Sequence, residues 1–318
     1  MTALRRVAGK LGALLLTLFL ASLLVFFSRF VVPGDPVRFL LRGRTPSAEA
    51  VASVTEQYGL DLPPWQQYLN WIAGVLQGDF GRSLQYRQDV STVIGERLPV
   101  TVGLVLMAGA MIAILGLAAG IVASLNRGRF LDRATLIGLT VLGAIPSFVG
   151  AIVLIAVFAV QLGWFPSYGS GEGFADTVYH LVLPSIALAI VFVVLIGKVT
   201  RSSMVEQLGR EHVEVAMSRG LTRGAVVRRH VFRNAIGPIL TVSGLLVAGL
   251  LVASSIVEAA FGLSGIGSLL VQSVDRLDFP VVQAIVLLVV TAFVVVNAIV
   301  DILEPWIDPR SAAGAGAR

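Results

Sequence analysis

Side chains able to do chemistry are few in this sequence and poorly spaced for it. His180, His212 and His230 stand far apart along the chain and lack the spacing of a zinc site, so they read as loop or interface residues. The phosphate-binding pattern Gly-x-x-x-x-Gly-Lys-[Ser/Thr] is absent, because Gly9-Lys10 and Gly197-Lys198 both lack the upstream glycine. There is no cysteine, which removes disulfides and thiol nucleophiles. The central thirds of the long apolar runs hold no acid or base, which argues against an intramembrane protease and against an ion-coupled secondary transporter. No catalytic residue, metal ligand or bound cofactor is assigned to this chain. Glu258, Asn297 and Asp301 are the polar groups nearest membrane depth, near helix ends or neutral, and structural hydrogen bonding accounts for them. Pro146 and Pro184 are expected to kink their helices. With Glu258 and Asn297 they form the candidate pathway or interface positions.

One polar segment, Arg201–Ala235, carries a pattern that points to a partner. Val213, Ala216, Met217, Gly220 and Leu221 recur at helical spacing and make one narrow apolar face, with Glu211, Glu214 and Ser218 pointing elsewhere. Gly220 is suited to the left-handed conformation that ends a helix, and Thr222 to capping the next one. Two short helices joined by a tight turn result, too short to stand without docking. A basic helix resting on anionic lipid is the bland alternative. Glu206, Glu211 and Glu214 oppose it, since anionic lipid repels them, and a groove on a cytoplasmic protein suits the pattern better.

The elements that position this segment follow from composition. The 318 residues are 56% hydrophobic and 14% charged, against roughly a quarter charged in soluble domains. Six apolar runs absorb the difference: Leu11–Val32, Leu98–Leu125, Leu136–Leu162, Leu181–Val199, Ile236–Val257 and Val281–Leu303. Each reaches about 20 residues, enough to span a bilayer as a helix, and the first reads as a retained anchor rather than a cleaved signal. Basic residues set the orientation: sixteen lie on one side and seven on the other if the N-terminus is cytoplasmic, so both termini are expected inside. The net charge of +5 therefore reflects topology and gives no reason to expect nucleic acid as a partner. The expected architecture is all-α, with residues 1–32 as cytoplasmic tip and first span, 33–97 as an extracytoplasmic segment, and 98–318 as a five-helix core bearing the cytoplasmic loop 201–235. In the outer segment Trp65, Tyr68, Leu69, Ile72, Val75 and Leu76 form an amphipathic stripe. It reads as a helix lying on the outer membrane surface, or as a cap over the pathway mouth or a docking surface for an extracytoplasmic partner. Gly116 and Gly120 form a Gly-x-x-x-Gly pair suited to close helix packing.

The stretch EHVEVAMSRGLTRGAVVRRHVFRNAIGP resembles the EAA loop of ATP-binding-cassette importer permeases. Glu214, Ala216 and Gly220 fall on its Glu-x-Ala-x-x-x-Gly frame, with Val215 where Ala is frequent. YGLDLPPWQQYLNWIAGVLQGDFGRSL, IPSFVGAIVLI, HLVLPSIAL and ILEPWIDPR extend the likeness over nearly the whole chain. They match the first of the two permease subunits in the dipeptide/oligopeptide/nickel family. FGLSGIG departs from the family pattern, with Ser264 where Pro is common before Gly265, and Phe232 and Arg233 replace the Leu-Pro pair of the general EAA pattern, as is usual in peptide permeases. The resemblance implies a type I importer permease in a bacterial inner membrane, paired with a second permease subunit and two cytoplasmic ATPase subunits that hold the ATP and Mg. It also implies an extracytoplasmic binding protein that delivers peptides, or else nickel chelates, glutathione or another small ligand. The coupling residues would be Glu211, Glu214, Val215, Ala216, Met217, Gly220, Leu221 and Thr222. A stand-alone channel is the competing class.

Overall fold

Peptide groups inside a bilayer have no water to bond, so each apolar run must close its hydrogen bonds within a helix. The computed structural model describes residues 2–30, 49, 55 and 61–307, and these are helical apart from turns and one isolated bridge between Arg82 and Asp89. Residues 31–48, much of 50–60 and 308–318, and with them part of the expected 33–97 segment, lie outside the described residues. In chain order the helices are α1 (Thr2–Ser28), α2 (Pro64–Leu76), α3 (Val90–Leu125), α4 (Phe130–Gly143), α5 (Ser147–Gln161) and α6 (Gly173–Leu208). Then follow α7 (Glu211–Ser218), α8 (Arg223–Val226), α9 (Arg233–Phe261), α10 (Ile266–Asp275) and α11 (Phe279–Ile307).

Among the described residues four helical stretches are long and apolar enough to cross a membrane, and up to six if each of two bent helix pairs counts as one span. The expected run Leu136–Leu162 is not one rod. It breaks into α4 and α5, bent by 94° around Ala144–Pro146. Proline has no N–H to give the helix and drives the residue before it away from helical geometry, so Pro146 ends one helix and starts the next rather than kinking a single one. Pro184 behaves differently. It lies buried inside α6, which continues through it. At 36 residues, α6 is about 54 Å long, well beyond a ~30 Å hydrocarbon core, so its last turns stand clear of the apolar layer.

Contacts divide the chain into two compact units. One comprises residues up to Pro99 together with Ser268–Val294. Within it α2 meets α1 through Tyr68, the one residue of the expected stripe that is buried. Its hydroxyl lies 2.8 Å from Ser22 Oγ and its ring 5.4 Å from Phe26. Trp65, Leu69 and Leu76 remain exposed. Asp278, fully buried, accepts hydrogen bonds from Ser83 Oγ at 2.5 Å and from the Leu84 and Gln85 N–H groups at 3.1 Å each. Gln283 donates to the carbonyls of Val25 at 3.4 Å and Phe26 at 3.3 Å. These polar ties draw Ser268–Val294 to the N-terminal part, whereas the sequence division after residue 97 assigns it to the five-helix core.

The other unit comprises Val100–Gly267 and the residues from Val295 onward. Its centre is α6, whose Leu181, Leu183, Leu188, Val193 and Ile196 are buried against α3, α5 and α9. The Gly-x-x-x-Gly pair makes the α3–α6 crossing. A Cβ on Gly120 would stand 2.5 Å from Thr200 Cβ and 2.7 Å from the Gly197 carbonyl, and one on Gly116 would stand 2.9 Å from Ile196 Cγ2.

Candidate functional site

Within the segment Arg201–Ala235, between the end of α6 and the start of α9, the chain folds as α7, a tight turn and α8, as its periodicity predicts, but its apolar stripe is divided between two surroundings. Val213 and Ala216 point inward, packed with Met204, Val226, Val231 and Ala235, and flanked by Ile121, Leu125 and Phe232. They are held by this chain's own α3, α6 and α9 and are closed to any partner. Val215, Met217 and Leu221 are 44%, 48% and 39% exposed. Glu211, Glu214, Val215 and Ser218 fall at i, i+3, i+4 and i+7, so they share the opposite, open face. The surface offered outward is therefore acidic at its start and apolar at its end. The sequence alone groups Val213 and Ala216 with Met217 because periodicity identifies a face without saying what covers it.

Two hydrogen bonds define the turn. The Gly220 N–H donates to the Met217 carbonyl at 2.9 Å and the Leu221 N–H to the Ala216 carbonyl at 3.3 Å. With Gly220 at φ +81° this is a Schellman closure. Nothing lies within 4 Å of the place a Gly220 Cβ would occupy, so glycine is required by the backbone and not by crowding. Thr222 sits at the start of α8, where its carbonyl accepts the Val226 N–H at 3.0 Å, but its side chain makes no capping bond. The expected side-chain cap does not form, and this backbone bond is the ordinary first bond of the helix. Glu211 and Glu214 in the first turn of α7 complement the partial positive charge of that helix end.

Three further contacts seat the segment. A π-helical turn, Val227–Phe232, joins α8 to α9. Arg223 Nη2 donates to the carbonyl of Leu125, the last residue of α3, at 3.4 Å. Asn234 Nδ2 donates to the His230 carbonyl at 2.7 Å and lies 3.2 Å from His212 Nε2. His212 and His230, unrelated by sequence spacing, thus come within 6.5 Å between ring centroids, a pairing that only the fold reveals. Among the described residues no group of three or more metal-binding side chains forms.

The remaining candidates lie on separate elements. Pro146 marks the α4–α5 break and Pro184 is packed inside α6. Asn297 is half-buried on α11, its Oδ1 3.2 Å from where a Gly244 Cβ would stand on α9. Glu258 is fully buried. Thr101 Oγ1 donates to Glu258 Oε1 at 2.7 Å and accepts the Ile266 N–H at 2.8 Å, tying α3 to the end of α9 and the start of α10. The turn after Glu258 is a second Schellman closure: Gly262 has φ +60° and the Leu263 N–H donates to the Glu258 carbonyl at 2.8 Å. The unusual Ser264 uses its N–H, which a proline would lack, to bond Ser170 Oγ at 3.0 Å.

Comparison with known proteins gives concordant results. Residues 114–312 match the family described as "Binding-protein-dependent transport system inner membrane component" and residues 3–105 its N-terminal membrane component. The glutathione transport system permease protein GsiC of Escherichia coli K12 is 38% identical over 304 residues, covering 95% of this chain and 97% of the relative, and the Shigella dysenteriae serotype 1 protein is equally similar. Among solved structures, an inward-facing MetNI methionine ABC transporter matches with TM-score 0.55 at 16% identity, over 68% of this chain and 96% of that one. An amino acid ABC transporter with histidines matches with TM-score 0.52 at 18% identity, over 67% and 94%. At these identities the structural matches speak for the fold alone.

Proposed function

The chain belongs to the family of binding-protein-dependent transport system inner membrane components and is a permease subunit of an ABC importer; from that premise we propose that it forms half of a translocation path for short peptides. In this reading a second permease subunit completes the path, two ATPase subunits dock from the cytoplasm, and an extracytoplasmic binding protein delivers the cargo. Both termini lie inside. ATP binding closes the ATPases, which displace α7 and re-orient the spans by alternating access. The observation that supports α7 as the contact is its two-sidedness: one face is packed into this chain on Val213 and Ala216, and the other is open on Glu211, Glu214, Val215 and Ser218. A lever needs both. Specificity rests mainly on the binding protein, since a path that must release its cargo cannot hold it tightly. Glutathione is the second reading of the cargo, favoured by the 38% identity to a glutathione permease. Being a tripeptide with one γ-linkage, it lies within the same chemical class.

Reconstitution tests this reading. Proteoliposomes holding the full complex should accumulate radiolabelled dipeptide or radiolabelled glutathione only with ATP and binding protein, and the lone chain should accumulate neither. Uptake by the lone chain would move it to the channel class. Orientation is tested in the cysteine-free background. Gln88→Cys should react with an impermeant maleimide in intact cells and Ser218→Cys should not, both positions being exposed. Equal labelling would overturn the inside placement of α7.

A further inference from the structure

A partly buried ion pair joins the helix that seats α7 to the base of the broken pair α4–α5: Asp132 is enclosed, and the Arg201 side chain is about a quarter exposed. Asp132, in the first turn of α4, is 3% exposed. Its Oδ1 accepts Arg201 Nε at 2.6 Å and its Oδ2 accepts Arg201 Nη2 at 2.8 Å, the bidentate arrangement that fixes both distance and angle. Oδ2 also accepts the Gly128 N–H at 2.8 Å. Gly128, at φ +76°, lies in the turn that carries the chain from α3 to α4. One carboxylate thus holds that turn, the start of α4 and the flank of α6 together.

Arg201 occupies a telling place on α6. Thr200 beside it fills the close crossing with Gly120. Met204, one turn further, is fully buried in the cluster that seats Val213 and Ala216, and it accepts Ser124 Oγ at 3.5 Å. A push on α7 therefore reaches α6 through Met204. The Gly120 crossing sets how closely α3 and α6 approach. The Asp132–Arg201 fork adds a directional tie between α6 and the start of α4.

We propose that Asp132 and Arg201 are positioning residues of the transport cycle, locking the base of α4 to α6 so that displacement of α7 carries α4, and through the break at Pro146 α5, with it. This rests on the reading of α7 as the ATPase contact. A purely stabilising role is the competing explanation, and it is separable. Replacing a buried ion pair by apolar residues of similar volume is often neutral or stabilising, whereas removing one partner strands a charge. An apolar pair restores packing without restoring the directional fork.

The test uses assembled complexes of wild type, Asp132→Leu/Arg201→Met, Asp132→Asn and Arg201→Lys, matched for subunit content. For each, the ATPase rate is measured alongside uptake, the cargo being whichever of radiolabelled glutathione and radiolabelled dipeptide the wild-type complex accumulates. The double variant should assemble and hydrolyse ATP, yet its uptake per ATP should fall at least about five-fold, the lower end of typical coupling effects. Arg201→Lys, which keeps the charge but not the fork, should fall between it and wild type. Wild-type uptake per ATP in the double variant would overturn the proposal. Should that variant fail to assemble, Asp132→Asn, which retains an acceptor for Gly128, decides by the same ratio. A wild-type complex without ATP-dependent uptake overturns the functional reading and the inference together, whereas wild-type-like variants overturn the inference alone.

Discussion

Gly220 offers the sharpest perturbation, because its cost comes from one source. Its φ is +81° and no atom lies within 4 Å of the position a Cβ would take, so substitution adds no crowding and acts on the backbone alone. A residue with a Cβ in the left-handed region costs about 1–2 kcal/mol, and a β-branched residue more. That is enough to lower the population of the closed turn by roughly 5–30-fold. The closure holds two hydrogen bonds, Gly220 to Met217 and Leu221 to Ala216, and with them the angle at which α7 leaves its seat. The spans are untouched, so Gly220→Val should reach the membrane near wild-type level. Binding-protein stimulation of the ATPase should fall in the order Asn, Ala, Val, with Asn mildest because its short polar side chain tolerates this conformation. Glu214→Ala removes an exposed first-turn carboxylate worth about 0.3–1 kcal/mol to the helix and should weaken stimulation less than Gly220→Val. The assay is ATP hydrolysis by purified complexes of equal subunit content, with and without loaded binding protein. Wild-type stimulation in Gly220→Val, or Val milder than Asn, would refute the claim that this turn sets the lever.

Two other expectations follow from the packing. Gly120→Val places carbon where Thr200 Cβ and the Gly197 carbonyl leave only 2.5 and 2.7 Å. The α3–α6 crossing should then open, with a drop of several degrees or more in the melting temperature of the detergent-purified protein, and an unchanged melt would refute the close approach. Ser264→Pro restores the residue frequent in the family but deletes the N–H that bonds Ser170 Oγ at 3.0 Å. It should cost about 1 kcal/mol, read as faster hydrogen exchange around Gly169–Gly173, and unchanged exchange would show that the bond carries no weight.

Much of this architecture is legible in the residues, and the omissions have a common cause. Long continuous apolar runs announce helices because a single segment in lipid can satisfy its own backbone only that way, and Gly220 announces a turn because only glycine takes φ near +80° cheaply. The α7–α8 pair could therefore be placed from sequence. Which way α7 faces could not. Val213 and Met217 are equally apolar, and the difference between them is decided by Met204, Val226 and Val231, residues that only folding brings near. Long-range polar partners were likewise silent. Asp132 and Arg201 lie 69 positions apart, and Ser83 and Asp278 lie 195 apart, and no local pattern links either pair. Run length also overstated continuity at Leu136–Leu162, since the proline effect at Ile145–Pro146 outweighed apolar character. Pro184, by contrast, lies buried inside α6, which continues through it with α3, α5 and α9 packed around it.

The division of α7 into two faces also separates two engineering problems. Val213 and Ala216 belong to the interior of this chain, and altering them unsettles the protein before any partner is involved. Glu211, Glu214, Val215, Met217, Ser218 and Leu221 touch solvent and can be exchanged as a set without disturbing that interior. If α7 is the ATPase contact proposed above, transplanting these outward residues from another permease, with the inward pair and Gly220 kept, should change which ATPase the chain recruits while leaving the interior cluster intact. Partner choice would then rest on the outward residues of α7 and of the turn that follows it.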